Sequence, residues 1–164
     1  MMRGLNISVV ALIGAACASP VAVGLFLLSI GADMSGSATS TAALTLAGWA
    51  VLAVGAGCGA SWWGRSLPDP PLAIWVGVGA AAGTFVMSVV TAAALDGSDR
   101  AIGMASWEFI SALLGAGSST DFDGTPAVRL ARIALGTLSG AFLGSCIRRP
   151  RPPVHDRCRS GGVA

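Results

Sequence analysis

The chain contains no lysine and no tyrosine, one histidine, and four cysteines scattered through 164 residues. Each scarcity removes a class of function. His155 and Cys158 share the segment His155-Asp156-Arg157-Cys158, but one imidazole and one thiolate do not complete a tetrahedral zinc set. No metal or cofactor is therefore expected. Cys17, Cys58 and Cys146 fall inside apolar stretches, where cysteine acts as a small hydrophobe, and no disulfide framework follows. All ten basic residues are Arg, which carries no functional weight in an Ala- and Gly-rich chain. Charge itself is sparse: 11% of residues are charged against 54% hydrophobic, too few to coat a soluble domain of this length.

What is present explains the shortage. Ile7 to Ile30, Thr41 to Trp63 and Leu72 to Leu95 are apolar runs free of charge. At about 1.5 Å per residue each gives a helix of roughly 35 Å, longer than the roughly 30 Å hydrocarbon core of a bilayer. A fourth stretch, Thr125 to Ile147, is as long but carries Arg129 and Arg132 near its start. Those charges lie three apart, on one face, and near a helix end they can reach the interface or a polar interior. Thr125-Pro126 supplies an N-cap and a first-turn proline. The expected fold is an all-α integral membrane bundle of four transmembrane helices over residues 1–147, in contact with the lipid bilayer. An Arg/Pro-rich tail, 148–164, is expected to be disordered.

A cleavable signal peptide is the competing reading of the N-terminus, because Arg3 precedes an apolar stretch and Ala16-Cys17-Ala18 has the small residues of a cleavage site. Hydrophobicity resumes at Val21 to Ile30, so an uncleaved first helix is expected, with Pro20 removing one backbone donor in mid-span and kinking it. Gly31 to Ser40 reads as an outer loop and Gly64 to Pro71 as a short inner turn. Trp62, Trp63 and Trp75 stand where interfacial anchors are expected.

Residues 101–117 form a shorter apolar stretch with Glu108 near its middle. Counting Arg near span ends decides its role. Four spans with cytoplasmic termini place Arg3, Arg65, Arg148, Arg149, Arg151, Arg157 and Arg159 inside and Arg100, Arg129 and Arg132 outside, seven against three. A fifth span lowers that bias to six against four, or reverses it. The stretch is therefore expected as a partial helix, interfacial or re-entrant, in a multi-pass protein of the cell membrane. The Arg-rich tail then reads as stop-transfer charge, with no nucleic-acid partner.

Gly136, Gly140 and Gly144 recur every four residues and bare one helix face to close approach. Gly79 and Gly83 repeat the device, and spacing leaves open whether the seam joins helices of one chain or builds a homo-oligomer or a contact with a membrane partner protein. The candidate polar site gathers Glu108, Asp121, Asp123, Arg129 and Arg132. Its plain reading is solvated loops and ion pairs; its sharper one is a cation-attracting vestibule built around an ionisable group at membrane depth. No residue is assigned a catalytic role, because no His or Cys stands beside these acids.

Ser106-Trp107-Glu108-Phe109, the loop Ser118-Ser119-Thr120-Asp121-Phe122-Asp123 and the small-residue final span to Gly144 resemble, in order of elements, the pore module of two-span potassium channels. That family's filter is of the Thr-Val-Gly-Tyr-Gly type, whereas this loop reads Thr120-Asp121-Phe122-Asp123-Gly124, so the likeness implies no potassium selectivity. The expected function is that of a non-enzymatic accessory or assembly-forming membrane component, with an oligomeric ion channel or small transporter as the alternative.

Overall fold

The computed structural model describes residues 2–63, 70–96, 101–114 and 126–147, all of them helical apart from the turn at 35–37. Among the described residues five helices follow one another: α1 (Met2–Met34), α2 (Ala38–Trp63), α3 (Pro70–Asp96), α4 (Ala101–Leu114) and α5 (Pro126–Ile147). Four of them, all but α4, are long and apolar enough to cross a membrane. Asp121, Asp123 and the expected disordered tail lie outside the described residues.

Pro20 does not break α1. A proline at this position leaves the carbonyl four residues earlier, that of Ala16, without its amide donor. The Ser19 hydroxyl donates to that same oxygen at 2.7 Å, so the orphaned acceptor is satisfied within the helix.

The expected outer loop over 31–40 is largely helical. A run of Gly, Ser, Thr and Asp resembles loop composition, yet α1 continues to Met34 and α2 starts at Ala38. The chain turns at Gly36, whose φ of 78° is open to glycine at little cost. Around it the Gly36 amide donates to Asp33 O at 2.9 Å and the Ser37 amide to Ala32 O at 3.1 Å, the paired bonds of a Schellman cap. The connection thus shrinks to three residues and forces α1 and α2 into an antiparallel pair.

Helices α1, α2, α3 and α5 form a closed ring in that order, each packed on the next and α5 returning to α1. Glycine contacts set the register. Gly14 of α1 faces Gly55 and Gly59 of α2; Gly57 of α2 faces Ala73 and Gly77 of α3; Gly79 and Gly83 of α3 face Gly140 and Gly136 of α5. Gly55 meets Ala18 whereas Gly59 meets Val10, Gly57 meets Ala73 whereas Gly77 meets Ala53, and Gly79 meets Gly140 whereas Gly83 meets Gly136, so neighbours run antiparallel. It follows that the end of α3 and the start of α5 lie at the same end of the ring. Helix α4, which lies between them in sequence, packs at that same end. With 14 residues α4 is roughly 21 Å long, shorter than the hydrocarbon core of a bilayer.

The interior has two storeys. Towards the N-terminus of α1 the core is Ala11, Ala15, Ala56, Ala60, Val76, Ala80 and Ala141, nearly all alanine, so backbones approach closely. Towards the other end it holds Ala22, Phe26, Leu52, Ile133 and, from α4, Phe109, Ile110 and Ala112. Small residues draw the helices together at one end, bulky rings fill the other, and α4 packs into that wider half, mainly along α3. Gly48 leaves the space that the Phe26 ring occupies.

Candidate functional site

In α4 the residues Ala101, Ala105, Ser106, Glu108, Phe109, Ile110, Ser111 and Ala112 are buried. Ile102, Trp107 and Leu114 are the large side chains it leaves exposed, all apolar. The charge on this helix therefore faces the bundle and its apolar side faces out, the reverse of a helix lying in water on a protein surface.

Glu108 is 7% exposed. Its Oε2 lies 3.8 Å from Nη1 of Arg129, and the two side chains are 9% and 14% exposed. Arg129 is the fourth residue of α5, so this pair ties α4 to the start of the last helix. At 3.8 Å the contact is an ion pair beyond hydrogen-bond length. The buried Nε of Arg129 has no hydrogen-bond partner, nor has the buried Nε1 of Trp49. Arg132 is half-buried and forms no ion pair among the described residues.

Two features went unread in the sequence. The first is an aromatic cluster around Trp49, whose ring centroid lies 5.1 Å from that of Phe26, 5.2 Å from Phe85 and 5.8 Å from Phe109. Four helices contribute one ring each, and Phe109 is the one that α4 brings. Aromatic residues spread over 83 positions give no spacing signal (26 to 109).

The second is a polar stripe on α3, where Thr84, Ser88 and Thr91 are buried at successive helical turns. Spacing of four and three does carry that signal. Thr84 and Thr137 of α5 lie 2.7 Å apart, hydroxyl to hydroxyl. Each also reaches a carbonyl of its own helix, Ala80 O at 2.8 Å and Ile133 O at 2.9 Å. Two hydroxyl protons serve three contacts, so the α3–α5 bridge alternates with local bonds. Ser88 and Thr91 donate to the carbonyls of Thr84 and Met87 at 2.9 Å.

The expected glycine seam lies within the chain. A methyl group placed on Gly140 would meet the Gly79 carbonyl, with its carbon at 2.9 Å; on Gly136 it would meet Gly83 O at 2.5 Å and the Met87 side chain; on Gly144, the Trp75 carbonyl carbon at 2.9 Å. Among the described residues no group of three or more His, Cys, Asp or Glu could hold a metal. Chemically the arrangement offers a carboxylate offset by a guanidinium and a row of hydroxyls. No protein-family model matches the chain, no curated protein matches its sequence and no solved structure matches its fold.

Proposed function

We propose that this chain is a non-enzymatic integral membrane protein, an accessory or assembly-forming component, with four spans, both termini cytoplasmic and α4 as a partial helix in the outer half. The observation that carries this reading is the Glu108–Arg129 pair: the ionisable group on α4 is committed to holding two helices together. Membrane placement is supported by the outer faces of the long helices, where Val9, Ile13, Leu28, Leu46, Val54, Ile74, Val86, Leu135 and Leu143 are exposed. Only 22% to 33% of an apolar 18-residue stretch of each long helix is buried, so lipid is the solvent that these surfaces suit. The Arg asymmetry of seven to three sets the orientation. Because α3 occupies the Gly136–Gly140–Gly144 edge, assembly with a second copy or a partner protein falls to the exposed apolar faces.

A transport reading is favoured by one observation, the buried hydroxyls of Thr84, Ser88 and Thr91 on the helix along which α4 lies. Flux separates the two. Purified protein in sealed proteoliposomes under a monovalent-cation gradient is expected to show no flux above protein-free vesicles, and Glu108→Gln is expected to leave that unchanged. Flux that falls on Glu108→Gln replaces the accessory reading with an acidic conduction path, since the substitution removes charge while keeping shape.

A further inference from the structure

We propose that α4 is a displaceable wedge in an otherwise tightly clamped four-helix frame, and that Glu108–Arg129 is the latch that keeps it seated. The frame and the wedge are joined by different physics. Contacts among α1, α2, α3 and α5 include backbone against backbone: Gly14 on Gly55, Gly57 on Ala73, Gly83 on Gly136 and Gly79 on Gly140. Such interfaces have little slack, because any displacement loses many short dispersion contacts at once. Helix α4 is seated by Phe109 in the aromatic cluster, by Ile110 and Ala112 in the wider storey of the core, and by the carboxylate of Glu108 towards Arg129.

Strain in polar pairing is concentrated on the same interface. Arg129 Nε and Trp49 Nε1, buried without hydrogen-bond partners, belong to the two side chains that meet Glu108 and Phe109. Each unsatisfied buried donor destabilises the closed arrangement, and Arg129 Nε gains a partner if water enters as α4 withdraws. An ion pair at 3.8 Å holds the wedge by charge without the directionality of a short hydrogen bond. Withdrawal would uncover Ser106, Glu108 and Ser111 of α4 as a polar lining in the outer half of the bundle. This inference rests on the reading that the four long helices span a bilayer.

The test measures water access. In protein with Cys17, Cys58, Cys146 and Cys158 replaced by Ala, single cysteines are introduced at Ser111, 4% exposed in the wedge; at Ala80, 1% exposed in the frame; and at Ser35, exposed in the α1–α2 turn. A membrane-impermeant maleimide is applied to each face in separate runs. Ser111→Cys is expected to label slowly, Glu108→Gln to speed it at least about tenfold, and the charge-swapped pair Glu108→Arg with Arg129→Glu to slow it again. Ala80→Cys should stay unlabelled throughout. Unchanged labelling at Ser111→Cys, or a parallel rise at Ala80→Cys that marks loosening of the whole bundle, overturns the wedge. Labelling of Ser35→Cys from the cytoplasmic face contradicts the proposed orientation alone, while labelling from both faces of sealed vesicles contradicts the membrane placement.

Discussion

Gly140→Leu is expected to lower the stability of the bundle by more than about 3 kcal/mol, the upper end of what overpacking usually does. The reason is what the new atoms meet. Even a single methyl at this position would stand 2.9 Å from the Gly79 carbonyl carbon and 3.1 Å from the Gly83 Cα, both of them backbone that no rotamer change can move aside. Helix α3 would have to retreat, and the Gly83–Gly136 contact and the Thr84–Thr137 bridge would open with it. Two comparisons isolate the cause. Leu143→Ala, at a side chain 62% exposed, should stay within about 0.5 kcal/mol of wild type. Gly24→Ala, where nothing lies within 4 Å, should be neutral or stabilise by up to about 1 kcal/mol through helix propensity. Thermal unfolding in detergent reads all three, and a Gly140→Leu protein that melts with the wild type would show that the close approach contributes nothing.

Phe26→Ala should have the next largest effect, a loss of about 3 to 5 kcal/mol. Phe26 is fully buried and its ring meets those of Trp49 at 5.1 Å and Phe109 at 5.8 Å. Removing it leaves a void where α1, α2 and α4 converge, beside Gly48, which has no side chain to fill it. In a bilayer the loss falls on dispersion between rings, because lipid tails are as apolar as the core they surround. Leu28→Ala on the same helix, 61% exposed, should change stability by less than about 0.5 kcal/mol. Equal melting temperatures for the two variants would mean that the aromatic cluster is not a centre of packing.

Long elements of this fold were legible because length and hydropathy alone specify them: α2, α3 and α5 were each anticipated to within a few residues, and Pro126 opens α5 as the sequence suggests. The turn at 35–37 was not, because Ser, Thr, Gly and Asp look the same in a loop as in helix ends joined by a Schellman cap. Spacing identified the Gly136, Gly140 and Gly144 edge but not its occupant; which helix lies there depends on the ring closing between α3 and α5, a tertiary fact. Among the candidate polar residues, the sequence offered several acids for Arg129 and Arg132. Among the described residues, only the fold of α4 against α5 brings an acid, Glu108, to Arg129, and none to Arg132. Trp49 carries no sequence signal because its partners lie on three other helices.

The central claim is that four helices cross a bilayer while α4 leaves and returns on the outer side. A set of topology-reporter fusions tests it most directly, made after Arg3, Arg65, Asp99, Ser119 and Arg151, so that two of the junctions flank α4. The account predicts cytoplasmic signal at Arg3, Arg65 and Arg151 and extracytoplasmic signal at both Asp99 and Ser119. Opposite signals at Asp99 and Ser119 would make residues 101–117 a fifth crossing and contradict it.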